Sequence, residues 1–239
     1  MPTRLWVPIA AVVALVLLGA AGAYAYFFSG LRTSPPALTL TSPSAAPTTS
    51  SSPSSAPGTW QISSGSLAGY RVKEQFAGQS STHEAVARTG DVTGSVTITQ
   101  SAGTYAMSAA KITVQLASLA SVDSVAGFNV TNRDRIVQRS LDVSSFPTAV
   151  FEAQSVALPA GVENGQQVSV SVPGQLTVHG VTKSVTANLT LRVSGSTAQI
   201  AGTISTNMTD YGISPPQVSI TVVQPAVTIE VQLNLTQAA

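Results

Sequence analysis

Ser184-Val185-Thr186-Ala187-Asn188-Leu189-Thr190-Leu191-Arg192-Val193 alternates polar and apolar side chains without a break. A period of two sends Val185, Ala187, Leu189, Leu191 and Val193 to one face and their neighbours to the other. That is the pattern of a strand with one buried face. The same alternation recurs on both sides of it. Upstream, Tyr70, Val72 and Phe76 share one parity. So do Val92, Val96 and Ile98, then Ile112, Val114 and Leu116, then Val168, Val170 and Val172 running on to Leu176 and Val178. Downstream come Ala198, Ile200, Gly202 and Ile204, then Val218, Ile220 and Val222, then Val227, Ile229, Val231, Leu233 and Leu235. Turn-forming residues separate the runs: Ala102-Gly103, Glu163-Asn164-Gly165, Ser194-Gly195-Ser196 and Pro215-Pro216. Closely spaced strands, one apolar face each and no alternation with helices predict an all-β antiparallel fold. Long strands favour a barrel of about eight, because closure removes exposed edges.

Composition agrees and excludes other classes. The 239 residues are 44% hydrophobic and 9% charged, with net charge +1 and no Cys. There is no basic surplus to displace counterions, so no nucleic-acid partner is expected. Disulfides, iron–sulfur clusters and Cys-ligated zinc are impossible without Cys.

The chain divides into zones. Residues 1–4 read as a cytoplasmic N-terminus. Residues 5–28 carry no charge and are long enough as a helix to span a hydrocarbon core of about 30 Å. Trp6 lies near one end, with Tyr24 and Tyr26 near the other, where amphipathic rings favour the interface. The competing reading is a signal peptide cleaved at Ala23-Tyr24-Ala25. The run through Tyr26, Phe27 and Phe28 is long for a signal core and favours a retained anchor. Arg4 and Arg32 on opposite sides nearly tie under the positive-inside rule. Either segment type exports the remainder of the chain. The expected location is therefore a single-pass cell-membrane protein with an extracytoplasmic C-terminal domain.

Residues 29–59 read as a disordered linker. Of the 27 residues Thr33–Thr59, six are Pro, eight Ser, six Thr and four Ala, and none is charged. So few apolar groups and so many prolines predict a semi-extended stalk that holds the domain off the membrane. Residues 60–239 form the folded domain, long enough for a sizeable core.

One stretch of the domain lacks strand signal, between Ser121 and Phe146. Thr131-Asn132-Arg133-Asp134 fits a capping box, with Thr131 as N-cap and Asp134 reaching back. It predicts a short helix from about Asn132 to Ser140. Arg133, Asp134, Arg135, Arg139 and Asp142 cluster there. The mixed signs favour a helix held to the barrel by ion pairs over an anion site.

An ordered set of segments resembles the YceI-like polyisoprenoid-binding family. These are Tyr70-Arg71-Val72, Gly90 to Ile98 (GDVTGSVTI), Thr131 to Arg139 (TNRDRIVQR), Phe146 to Phe151 (FPTAVF) and Gln175 to Val185 (QLTVHGVTKSV). Tyr211-Gly212-Ile213 and Pro215-Pro216 add a late match. The resemblance covers most of residues 60–239. It implies a lipocalin-like antiparallel β-barrel with a helical insertion, a periplasmic or secreted location, and in some members a long isoprenoid chain held in the barrel. One departure falls in the helix. The commoner family pattern has a His–Leu pair after Arg-Asp-x, and Ile136-Val137 follow Arg135 here. The anchor and stalk lie outside the family domain and resemble an actinobacterial way of presenting it.

No catalytic motif accompanies this pattern. There is no G-x-S-x-G elbow and no H-E-x-x-H helix. His83 reads as a loop residue and His179 as a turn residue, so no enzyme activity, catalytic residue or metal site is expected. The functional expectation is a carrier or store for an apolar lipid such as a polyisoprenoid or quinone. Phe76, Ile98, Val114, Phe151, Leu189, Ile204 and Ile229 are the candidate ligand-binding wall. An inward apolar residue serves equally well in a closed core. The alternative is thus a cell-envelope interaction module with a filled core and no ligand. Neither pattern speaks to oligomeric state.

Overall fold

The computed structural model describes residues 6–28, 32–41, 57–76, 82–125, 129–218 and 221–238. In chain order they form α1 (Trp6–Phe28), β1 (Arg32–Thr33), β2 (Gly58–Ile62), β3 (Leu67–Phe76), β4 (Thr82–Thr89), β5 (Val92–Ser101) and β6 (Thr104–Gln115). Next come β7 (Ala120–Ser121), β8 (Ser124–Val125), α2 (Thr131–Ser140), β9 (Thr148–Ala153), β10 (Val156–Ala157) and β11 (Val168–Val178). The chain ends with β12 (Val181–Ser194), β13 (Thr197–Asn207), β14 (Gln217–Val218) and β15 (Thr221–Gln237).

The alternating runs become a closed antiparallel barrel of eight strands: β2, β5, β6, β9, β11, β12, β13 and β15. Pairing of β13 with β15, from Thr197↔Thr236 to Asn207↔Ala226, closes the ring. The Ser184–Val193 stretch lies in β12, which pairs with β11 over most of its length and with β13 over its second half. The β15 strand is long enough to serve two partners on its other side. It pairs with β2 at Leu235–Gln237 and with β3 from Thr221 to Gln232. The β3–β4 hairpin thereby extends the wall at one end.

That end and the opposite one are packed differently. At the far end Trp60, Val162, Val193 and Leu235 are almost completely buried and plug the barrel. At the other end Leu116 and Leu119 are buried among Ala87, Tyr70, Leu141 and Ala149, and α2 lies across them.

Helix α2 forms where expected, but its capping differs. The N-cap position is Val130, without a side-chain bond. Asn129 Oδ1 accepts from the backbone N–H of Thr131 at 3.0 Å and from its hydroxyl at 2.5 Å. Asp134 does not reach back. It accepts from the N–H and hydroxyl of Ser121 at 3.0 and 2.6 Å. A tertiary partner outcompetes the local capping box because it satisfies two donors of β7 at once.

The linker expectation fails over residues 32–41. This segment lies along the outer wall of the barrel. At its start β1 pairs with β8, Arg32↔Val125 and Thr33↔Ser124. Ser34 Oγ then donates to Glu84 O at 2.5 Å, and the carbonyls of Pro35 and Pro36 accept from Arg71 and Arg88 at 2.6 Å. Leu38 is buried, and its N–H donates to Glu230 at 3.2 Å. At the far end Thr41 O accepts from Arg192 at 2.8 Å. Composition missed this because the binding groups sit on the barrel. They are an outward-facing carboxylate and two guanidinium groups that need a cover to be buried. Residues 29–31 and 42–56 of the expected linker, and residues 1–5, lie outside the described residues.

Under the strap Glu230 accepts from Arg71 Nε and Arg88 Nε, both at 2.7 Å, and is wholly buried. Gly69 makes the second of these contacts fit. It stands between Glu230 and Arg88 in the sheet register. A Cβ at Gly69 would lie 2.1 Å from Ala87 O and 2.9 Å from Arg88 Cγ. Gly69→Ala is therefore expected to cost about 1–3 kcal/mol by overpacking. Urea unfolding measures it, and an unchanged midpoint would refute the crossing role.

Helix α1 is 23 residues long and carries no acidic or basic residue. Its side chains are described from 12 to 24 only. A span of a bilayer needs about 20 apolar residues in a row. Among the described residues, no helix is long and apolar enough to cross a membrane.

Candidate functional site

The inward faces of the strands do not meet in the middle. They enclose a cavity of about 510 Å³. Its wall draws on strands all round the barrel: Val72 from β3, Val96 from β5, Ile112 from β6, Val172 and Leu176 from β11, Ala187 from β12, Ile200 from β13, and Val231 and Leu233 from β15. This volume lies within the usual range for small-molecule sites of roughly 300–1,000 Å³. The cavity runs up to α2, where Asn129, Asn132, Arg133, Ile136, Val137 and Ser140 complete its lining. Asn129 and Asn132 are solvent-exposed, so the cavity opens beside the start of α2.

Six of the seven expected wall residues face this cavity: Phe76, Val114, Phe151, Leu189, Ile204 and Ile229. Ile98 does not. It lies at the plugged end with Trp60 and Met107, against a void of about 40 Å³. Periodicity tells inward from outward but not depth along the barrel. Ile98 comes just after a register shift in β5 and pairs with Gly58, one layer beyond the cavity floor.

Near the opening a buried polar cluster interrupts the apolar wall. Glu74 shares the inward parity of Val72 and Phe76 and lines the cavity. Arg133 of α2 donates to Glu74 at 2.9 Å and also to Asp123 and Ser121. Asp123 also accepts from the Val86 N–H at 3.0 Å and bonds His83 Nε2 at 2.7 Å. Burial pushes the Glu74 carboxyl above its ordinary value, and Arg133 only partly offsets it. Burial also raises Asp123. His83, the Val86 N–H and Arg133 together outweigh it and hold that carboxyl below the ordinary value. Tyr70 lines the cavity next to them, and burial drives its phenol well up. The cluster pins α2 to the barrel at the opening. The helix is thus held by ion pairs, but of the five clustered charges only Arg133 makes them among the described residues.

The histidines have structural partners. His83 lies in β4 rather than in a loop, and is buried against Asp123 and Phe76. His179 occupies a turn with φ of 52°, bonds Tyr211 O through Nδ1 at 3.1 Å and meets the Phe146 ring edge-on. Neither lines the cavity. Donor atoms of Glu74, His83 and Asp123 lie within 4.8 Å of one another, as a metal site requires. The Arg133 guanidinium already supplies positive charge to both carboxylates there.

Several lining residues were not among the expected wall. Glu74 and Arg133 lie 59 positions apart and become partners only when α2 folds over β3. Tyr211, buried with Leu176 and Ile213, faces the cavity from a short turn of helix at Met208–Tyr211. Burial raises its phenol, and Thr206 is the polar side chain acting against that shift. Its hydroxyl has no partner at hydrogen-bonding distance. The Tyr211-Gly212-Ile213 motif was the available signal.

Comparison with known proteins places this arrangement. The YceI-like domain matches residues 61–235. Among solved structures, a polyisoprenoid binding domain from Saccharophagus degradans, implicated in plant cell wall breakdown, is 15% identical with a TM-score of 0.53. The alignment covers 75% of this chain and 98% of that one. BcnA of Burkholderia cenocepacia is 19% identical with a TM-score of 0.46, over 69% of this chain and 95% of that one. No curated protein matches the sequence. The barrel, its helical insertion and the matched span together place the chain in the family of YceI-like domains.

Proposed function

We propose that this protein carries or stores one slender apolar lipid of the isoprenoid class at the outer face of a membrane, with residues 5–28 as its anchor. The cavity carries the reading. It holds about 510 Å³ of space walled mostly by Val, Ile, Leu, Ala and Phe, with the polar side chains gathered near α2 and Tyr211. A lipid tail gains about 0.8 kcal/mol for each CH₂ buried in such a wall. A void of this size is hard to reconcile with a filled-core interaction module, because empty apolar volume costs stability. The similar domain from Saccharophagus degradans, described as polyisoprenoid binding, supports the same ligand class. The anchor rests on the sequence, in which residues 5–28 carry no charge and match the length of a bilayer span.

The opening shapes what kind of head the lipid carries. Its one inward carboxylate, Glu74, is matched by Arg133, so the buried lining offers no unpaired charge to a phosphate, and the exposed cations of α2 lie outside it. Tyr211 presents a buried hydroxyl to the cavity, with Thr206 as its polar neighbour. A neutral head such as a quinone fits these groups better than an ionised one.

Organic extraction of the full-length protein from its native membrane, read by mass spectrometry against protein amount, tests the proposal. One isoprenoid per chain is the expected result. An extract holding bilayer phospholipid alone, even after incubation with quinones and polyprenyl lipids, would overturn it.

A further inference from the structure

The path of the chain between α1 and the barrel runs past the cavity opening. Helix α1 ends at Phe28 and β1 begins at Arg32. Four residue steps of extended chain cover no more than about 14 Å. Strand β1 is docked on β8, with Arg32 opposite Val125. Thr33 and Ser124 join through their hydroxyls at 2.7 Å. Val125 itself lines the cavity, and the exposed rim residue Asn129 comes four positions later. From there the strap leads away from the opening, to Thr41 beside Arg192 and Gln199 near the far end. The chain enters the domain at the mouth of the cavity.

Two further observations point the same way. Among the described residues the large exposed apolar side chains fall on α1, except Val122 and Val222. Val122 lies between β7 and β8, and Val222 lies between the cavity-lining Thr221 and Val223 at the start of β15. Both stand at the open end. Beside them α2 exposes Arg135 and Arg139, and neither pairs with a carboxylate among the described residues. A rim of apolar side chains with unpaired cations suits a lipid surface bearing anionic headgroups.

We infer that the open end of the barrel docks on the bilayer that holds α1, so that the ligand passes between membrane and cavity without crossing water. This rests on the proposed anchor and ligand. It also reverses the expected role of the linker. The segment after α1 does not lift the barrel away. It holds Arg32, which pairs with the cavity-lining Val125, within about 14 Å of the helix end.

The absence of Cys gives a clean test. Full-length V122C, V222C and S196C are each labelled with an environment-sensitive fluorophore and reconstituted in phosphatidylcholine–phosphatidylglycerol vesicles. Ser196 is exposed in the β12–β13 hairpin at the plugged end. The inference expects a blue shift and strong quenching by brominated lipid at positions 122 and 222, and neither at 196. Equal quenching at all three positions, or quenching at 196 alone, overturns it. So does no quenching at any position in protein that floats with the vesicles. Protein that fails to float refutes the anchor, and this inference with it. Lipid extracted from the same samples reports separately on the ligand. R135Q/R139Q is expected to weaken docking by about fivefold for each cation removed, from about 1 kcal/mol apiece. That loss should appear in phosphatidylglycerol-containing vesicles and vanish in pure phosphatidylcholine.

Discussion

Glu230→Ala is expected to destabilise the protein by about 3–5 kcal/mol. Glu230 is wholly buried, and its two oxygens accept from Arg71, Arg88 and the Leu38 N–H. Removing the carboxylate leaves two guanidinium groups under the strap without their shared counter-charge. The same change removes an acceptor for the strap backbone. Residues 32–41 should therefore become susceptible to proteolysis while the barrel remains folded. Denaturant unfolding measures the first effect and limited proteolysis the second. A variant of wild-type stability with a protected strap would show that the network is not what holds the segment down. The pH dependence has a definite sign. Burial raises the Glu230 carboxyl, but Arg88, Arg71 and the Leu38 N–H outweigh it and hold it below its ordinary value. A depressed carboxylate contributes stability that is present above its unfolded pKa of about 4.3. That contribution is lost as pH falls through the lower folded value. The gap between wild type and Glu230→Ala should thus be constant near neutrality and close in acid.

Ala187→Trp is expected to empty the cavity of lipid while leaving the barrel folded. Ala187 is buried, lines the cavity and sits in β12 between Val172 and Ile204 of the neighbouring strands. A large side chain there grows into existing space, so overpacking should cost little, on the order of 1 kcal/mol. The ligand loses the room that the indole takes. Excluding one five-carbon unit forfeits about 4 kcal/mol at about 0.8 per CH₂, roughly a thousandfold in affinity. Occupancy by extraction and the thermal midpoint are read on the same samples. A folded variant that keeps a full complement of lipid would sink the cavity reading.

These two sites differ in how far the sequence exposes them. Ala187 can be read directly, because Ser184–Val193 alternates and an alternating strand has one inward face. Five of the six expected residues that face the cavity come from that rule, and Phe151 stands in the FPTAVF segment that carries the family resemblance. Ile98 shows its limit, since parity carries no information about which layer of the barrel a residue reaches. Helix α2 was legible from its lack of alternation, although its cap was not, because Asp134 found Ser121 instead. His83 looked like a loop residue because the short polar stretch around it resembles a turn. Pairing of Glu74 with His83 across the β3–β4 hairpin puts it in a strand.

The strap was illegible for a different reason. Little in the composition of residues 32–41 distinguishes them from the rest of the Ser/Thr/Pro-rich segment beyond Arg32, Leu38 and Leu40. Their order comes from Arg71, Arg88 and Glu230, which lie on three strands and meet only across the sheet. Sequence by itself determined the strand class, the inward face and the apolar lining, since each depends on near-neighbour periodicity. Whether that lining meets or stands apart, which end opens, and where the N-terminal segment joins the barrel were decided by tertiary structure. Each of these depends on barrel closure and on charge pairs between distant residues, and periodicity along the chain does not encode either.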